Sequence, residues 1–148
     1  MLDNKLIQLS SSSWTSPVVL VRKKNGKLRF CVDYRKLNTI TKKDAYPLSR
    51  IDEMLNALAG STWFFTLDLA SGYWQVDIDF RDREKTAFII RYGIYEFNVM
   101  PFGLCNASVI FQRLIDRVYD QITWKFVVVY LDNTIVYSKT FDEHLEYL

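Results

Sequence analysis

Apolar positions along the chain fall into short runs whose period changes several times. In PVVLVRKKNGKLRFCVDY, two β-rich runs at 18–21 and 28–32 flank Asn25-Gly26, a dipeptide suited to the left-handed backbone of a tight hairpin turn. The spacing predicts a hairpin with basic side chains gathered at its tip. From Pro47 the period lengthens, and Leu48, Ile51, Met54, Leu55 and Leu58 recur at helical spacing. An amphipathic helix is predicted there, capped by Ser49 and ended by Gly60. TWFFTLDL (62–69) reads as a strand with Asp68 near its end, and 85–90 with 94–99 flank Tyr92-Gly93 as a second hairpin. Helical period returns over 106–121 through Val109, Ile110, Leu114, Ile115 and Val118. Runs at 125–130 and 134–138 surround Leu131-Asp132-Asn133 as a third hairpin with an acidic tip, and FDEHLEYL starts another helix. The order β-β-α-β-β-β-α-β-β, with mostly hairpin connections and no repeat, linker or low-complexity tract, predicts an α+β fold in which helices back an antiparallel sheet.

Composition narrows the class. At 148 residues, with 49% hydrophobic and 24% charged residues, the chain is expected to fold around a single core, not to form a fibre or a disordered tail. No apolar run approaches the roughly 18 residues that span a bilayer, and MLDNKLIQL lacks the pattern of a signal peptide. A soluble, intracellular protein with no membrane partner is expected. Cys31 and Cys105 are far apart and His144 is the one histidine, which argues against zinc, a disulfide scaffold or a histidine triad.

The net charge of +2 conceals an asymmetry. Residues 1–50 hold eleven Lys or Arg against three Asp, a balance of +8, while the remainder balances at −6. A basic segment beside an acidic body suits a protein that holds a polyanion with one part and cations with the other; a solvated basic hairpin is the plainer alternative. Asp68 and Asp132 carry the candidate chemistry, since carboxylates beside apolar runs are costly to bury unless paired with a cation. If their strands are neighbours, the two groups converge at one sheet end and can share Mg²⁺, a hard ion that prefers oxygen ligands. Alternatively Asp68 caps a turn with Ser71, and Asp132 is an ordinary hairpin-tip residue. Spacing alone leaves both readings open.

FTLDLASGYWQV resembles the first catalytic motif of reverse transcriptases, and VVYLDNTIVYS resembles their tyrosine-x-Asp-Asp hairpin. VMPFGLCNASVIFQRLID between them is similar to the gypsy-like branch of long-terminal-repeat retrotransposons, as are SSSWTSPVVLVRKKNGKLRFCVDYRKLN, YPLSRID, EKTAFIIRYGIYEF and EHLEYL. Several motifs in the right order over residues 11–148 are far more specific than any one alone. The resemblance implies the fingers and palm of a right-hand polymerase, with fingers at about 11–60 and 85–100, palm at about 61–84 and 101–148, and thumb, connection and ribonuclease H absent.

It also implies an RNA-directed DNA polymerase that adds dNTPs to a primer 3′ end by two-metal nucleotidyl transfer. Its catalytic positions are Asp68, Asp132 and Asn133. Metal ligands are Asp68, Asp132 and the carbonyl of Leu69, holding Mg²⁺ or Mn²⁺. Lys23 or Lys24, with Arg29, contacts the triphosphate; Tyr73 lies under the deoxyribose and excludes a 2′-hydroxyl. Phe102 and Gly103 line the nucleotide pocket, and Gln112 faces the template side. Core packing is the alternative for Tyr73 and Phe102, and a solvated face for Gln112. Expected partners are an RNA or DNA template-primer, dNTP, and either the remaining polyprotein domains or a dimer partner. The expected compartment is cytoplasmic, with a virus-like particle or the nucleus as other settings.

Three positions depart from the family pattern. Asn133 stands where the family has a second aspartate, and an amide oxygen coordinates without neutralising a divalent ion. Removing one such electrostatic contributor typically costs on the order of 10²–10³ in rate, so this fragment is expected to be weak or inactive. Ser108 and Trp74 replace the usual proline and histidine, which affects local packing. The alternative function is a non-catalytic retroelement-derived domain that binds nucleic acid or a host protein.

Overall fold

The computed structural model describes every residue except Ser49, Ala70, Ser71 and Asp132; the expected Ser49 cap, the Ser71 turn and the placement of Asp132 lie outside the described residues. In chain order the elements are β1 (Ile7–Leu9), β2 (Ser16–Arg22), β3 (Leu28–Val32), α1 (Arg35–Ile40), α2 (Ile51–Leu58), β4 (Trp63–Asp68), α3 (Phe80–Arg83), β5 (Phe88–Ile90), β6 (Gly93–Phe97), α4 (Ala107–Val118), β7 (Val127–Tyr130), β8 (Asn133–Ser138) and α5 (Phe141–Tyr147). Single 3₁₀ turns occupy Gly72–Gln75 and Glu84–Thr86. These elements gather into two compact units, Met1–Lys43 with Tyr73–Ala107 and Asp44–Gly72 with Ser108–Leu148. The single core expected from chain length is thus replaced by two, each closed by segments distant in sequence. Among the described residues no helix is long and apolar enough to cross a membrane.

The first unit is built on a five-stranded sheet in the order β1-β6-β5-β2-β3. The expected basic hairpin is β2 with β3, paired from Val18↔Val32 to Arg22↔Leu28. Its tip closes by Lys23 N–H donating to Lys27 O and Gly26 N–H to Lys23 O, with Gly26 at φ +79°. That is a three-residue loop of turn plus bulge, in which the left-handed position falls to glycine. Two features differ from a wholly antiparallel sheet read along the chain: β2 also pairs in parallel with β5, and β1 adds to the edge of β6 through Ile7↔Phe97. Short apolar runs define strands but do not name a partner eighty residues away.

The strand expected over 85–90 begins only at Phe88, because Thr86 is otherwise engaged. Its hydroxyl donates to Arg83 O and accepts from Phe97 N–H, a local side-chain bond that competes with the ladder. Val32, Tyr34, Phe88 and Phe97 form the core, with Ile7, Val18, Leu37, Ile78, Ile90, Tyr95 and Leu104 packed around them. Tyr34 is buried and donates to Thr86 O; burial pushes its phenol well above the ordinary range.

The second unit is a three-stranded antiparallel sheet, β4-β8-β7. Met54 of α2, which the sequence reading placed in the fingers, packs with Val128 and Tyr137 of this sheet. α2 starts at Ile51 and carries Asp52 and Glu53 in its first turn, charges that suit a helix N-terminus. α4 buries Phe111, Gln112 and Ile115. A Cβ built on Gly72 would lie 2.7 Å from Cζ of Phe111, so the backbone passes this ring only because residue 72 has no side chain. α5 opens with a reciprocal capping box between Thr140 and Glu143, and its His144 Nδ1 lies 3.0 Å from Ser138 Oγ.

Candidate active site

The sheet of the second unit places two of the positions singled out for catalysis, Asp68 and Asn133, opposite one another. β4 and β8 are neighbours, and their register ends with Asp68 opposite Asn133. Asn133 is opposite Tyr130 of β7 as well, so it is the middle residue at this sheet end. Directly opposed residues of an antiparallel pair share a face, which places Asp68 and Asn133 on one face with Thr66 and Ile135. Adjacency of the two strands, the condition for the carboxylates to converge, is met. Asp132 lies outside the described residues and is joined to Asn133 through one peptide bond. Asp68 is exposed, and Leu69 O accepts the Gly72 N–H at 3.1 Å, which uses one of the carbonyl's two lone pairs. Among the described residues, no three His, Cys, Asp or Glu side chains gather as a metal cage.

Gln112 does not take the solvated position that was the alternative for it. It is wholly buried. Its Oε1 accepts the N–H of Leu131 at 2.9 Å, and Leu131 is held at φ +56°, a conformation uncommon for a residue with a Cβ. Gln112 Nε2 donates to Asp116 Oδ1 at 2.8 Å, and Tyr46 Oη donates to Asp116 Oδ2 at 2.7 Å. Arg113 donates to both oxygens of Asp44 and sits 4.8 Å from the centroid of the Tyr46 ring. The guanidinium holds the Asp44 carboxyl below its ordinary range, and the bond to Asp116 raises the Tyr46 phenol.

In the first unit, Tyr73 and Phe102 are in contact, with ring centroids 4.9 Å apart and planes tilted by 53°. Tyr73 is half-buried, whereas Phe102 is 54% exposed, so Phe102 is not a core residue of this unit. Gly103 has φ +101°, a backbone conformation that favours glycine, while a Cβ there would meet Tyr34 only at an ordinary contact distance of 3.4 Å. Asn38 fixes this turn from both sides, donating to Gly103 O and accepting from Cys105 N–H. Lys23, Lys24 and Arg29 are exposed on the β2–β3 hairpin, and none forms an ion pair with a described residue. Asn38, Asp44, Tyr46, Arg113 and Asp116 were not singled out from sequence. The i, i+4 spacing of Gln112 and Asp116 on one helix was the available signal.

Residues 21–148 match the family described as Reverse transcriptase (RNA-dependent DNA polymerase). The chain belongs to the reverse transcriptase family. It is 48% identical over 124 residues to an RNA-directed DNA polymerase homolog of Oenothera berteroana, covering 82% of this chain and 87% of that one. It is 42% identical over 150 residues to the retrovirus-related Pol polyprotein from transposon 297 of Drosophila melanogaster, covering 98% of this chain. With the corresponding polyprotein from transposon gypsy, identity is 40% over 154 residues and covers the whole chain. This reverse transcriptase domain spans 14% and 15% of those two polyproteins. The gypsy-like resemblance is thereby borne out.

Solved structures agree on the fold. A foamy viral protease-reverse transcriptase in complex with double-stranded DNA matches with a TM-score of 0.89 at 24% identity, over 99% of this chain and 25% of that one. The same viral protein with an RNA/DNA hybrid matches at 0.88 and 23%, over 98% and 19%. Reverse transcriptases are RNA-directed DNA polymerases, hence nucleotidyltransferases, and generally use divalent metal ions.

Proposed function

We propose that this chain supplies the fingers and palm of a retroelement reverse transcriptase and that its reaction is template-directed addition of dNTPs to a primer 3′ end, slowed by Asn133. The observation that carries this reading is the β4–β8 register, which opposes Asp68 to the residue next to Asp132. The donor set assigned to the metals, the carboxylates of Asp68 and Asp132, the carbonyl of Leu69 and the amide oxygen of Asn133, is all oxygen, a chemistry that fits Mg²⁺ or Mn²⁺. When bound, the ions would activate the primer hydroxyl and stabilise the pyrophosphate leaving group.

The remaining roles fall to side chains of the first unit. Lys23 or Lys24, together with Arg29, holds the triphosphate, for which exposed cations with no ion pair among the described residues are suited. Tyr73, backed by Phe102, presents a rigid ring to the sugar and leaves no room for a 2′-hydroxyl, and Gly103 lets the backbone close on the nucleotide. Template-primer of RNA or DNA is the proposed partner, supported by the foamy viral relatives in complex with double-stranded DNA and an RNA/DNA hybrid. The remaining polyprotein domains are proposed as further partners, given the length of the transposon relatives.

A primer-extension assay on a homopolymer template tests the reading. Expected is slow incorporation that requires Mg²⁺ or Mn²⁺, stops with chelator and is lost in Asp68→Asn. Template-primer binding with no metal-dependent incorporation would instead support a non-catalytic binding domain.

A further inference from the structure

The buried amide of Gln112 is the end of a polar relay, and the relay's polarity is fixed by chemistry. Leu131 N–H can only donate and an ionised Asp116 can only accept, so the Gln112 side chain must face oxygen to the first and nitrogen to the second. Tyr46 Oη in turn occupies the other oxygen of Asp116. Its ring is covered by Arg113, which is paired with Asp44, and Asp44 accepts the Tyr46 N–H at 3.0 Å. The segment before α2 is thereby tied through α4 to the turn between β7 and β8. That turn holds Leu131 in a left-handed conformation that side chains rarely adopt, and Leu131 immediately precedes Asp132.

We propose that Tyr46 and Asp116 are positioning residues, acting through Gln112 to hold the Leu131 turn and so the backbone that leads into Asp132 in sequence. The assignment rests on the metal-binding role given to Asp132 above. Gln112 takes one hydrogen bond from the turn itself; Asp116 sets which way its amide points, and Tyr46 sets the Asp116 carboxylate. If the far end is removed, Gln112 Nε2 keeps only its longer bond to Val129 O at 3.5 Å, and its hold on the Leu131 N–H loosens. The relay is therefore a sequence of dependent steps, and removing Tyr46 has no further effect once Gln112 is gone.

Amide hydrogen exchange at Leu131, measured by NMR on the whole chain without metal, tests this directly. Losing a hydrogen bond of this kind is expected to speed exchange at Leu131 about tenfold in Gln112→Leu and Asp116→Ala, and severalfold in Tyr46→Phe. Val32 and Val136, in the two sheets, are expected to exchange as in the parent. Asp116→Asn, which keeps an acceptor for the Gln112 amide, is expected to restore most of the protection lost in Asp116→Ala. The Tyr46→Phe with Gln112→Leu double variant is expected to match Gln112→Leu alone. Mn²⁺ affinity is expected to fall in the same order as Leu131 protection.

Unchanged Leu131 exchange in Tyr46→Phe would overturn the relay, as would faster exchange spread evenly over all amides, the mark of a general loss of stability. Faster Leu131 exchange with Mn²⁺ affinity at the parental value would overturn the positioning role. Because the exchange readout needs neither metal nor turnover, a parent chain that binds no Mn²⁺ would refute the proposed function separately from the relay.

Discussion

Gly72→Ala is a small change with a large expected effect, because the space that a methyl group needs is already taken. The new Cβ would fall 2.7 Å from Phe111 Cζ and 3.3 Å from both Cε atoms, and approaches under 3.0 Å require something to move. Phe111 has no exposed surface, so the ring has no solvent to turn into, and α4 would have to shift. Overpacking of this kind costs about 1–3 kcal/mol. Alanine reduces the entropy of the unfolded chain and returns about 0.4–1 kcal/mol, which leaves a net loss of about 1–2 kcal/mol, or a few degrees in Tm for a chain of this size. Gly60→Ala is the contrast, since it has φ +81° and nothing within 4 Å, so its loss comes from backbone strain alone. The assay is urea denaturation of Gly72→Ala, Phe111→Leu and the double variant. If the close approach is the cause, the Gly72→Ala penalty shrinks in the Phe111→Leu background, where the aromatic ring is gone. Equal penalties in both backgrounds would refute the packing argument.

Other residues give three more expected outcomes. Replacing Lys23, Lys24 and Arg29 by alanine is expected to weaken template-primer binding and lower its salt slope by about 2–3, roughly 0.9 for each phosphate no longer neutralised; an unchanged slope in anisotropy titrations would remove these residues from the interface. Tyr73→Ala is expected to raise ribonucleotide incorporation relative to dNTP in an enzyme that retains the thumb, and equal discrimination would sink the sugar-gate role. Arg35 beside Asp33 and Arg81 beside Asp79 hold those carboxyls at about 2 in place of 3.8. Their folded values lie below the unfolded ones, so their stabilising contribution is complete above the ordinary carboxylate range and is lost as pH falls toward about 2. Urea midpoints taken from pH 5 to pH 2 are expected to fall less steeply in Asp33→Asn with Asp79→Asn; superimposable profiles would contradict this.

Local chemistry was legible in the sequence, and long-range pairing was less so. Asn25-Gly26 announced the basic hairpin, and the helical period of residues 106–121 announced α4, because turn residues and periodicity act within a few positions. The neighbouring placement of β4 and β8 stood in the sequence only as a condition, since an apolar strand names no partner, and the sheet order supplies it. β1 escaped notice because three residues carry too little pattern, and its strand exists by pairing with β6 some ninety residues later. The burial of Gln112 was not legible, because a glutamine on an amphipathic helix ordinarily faces water. Here it is buried because Leu131 N–H and Asp116 satisfy its amide, and neither partner is visible from composition.

The central claim is that the sheet end holding Asp68 and Asn133 binds divalent metal for nucleotidyl transfer. Calorimetric titration of Mn²⁺ into the parent chain, Asn133→Asp and Asp68→Asn tests it most directly. A restored carboxylate adds a full negative charge beside the ions, and because Asp68 and Asn133 are exposed the attraction is that of a surface pair, about 1–4 kcal/mol for unit charges at 4 Å; an affinity gain of about tenfold is therefore expected. Asp68→Asn is expected to weaken binding by a comparable factor. Identical Mn²⁺ affinities in all three proteins would contradict the metal-site account and favour a domain that binds without catalysis.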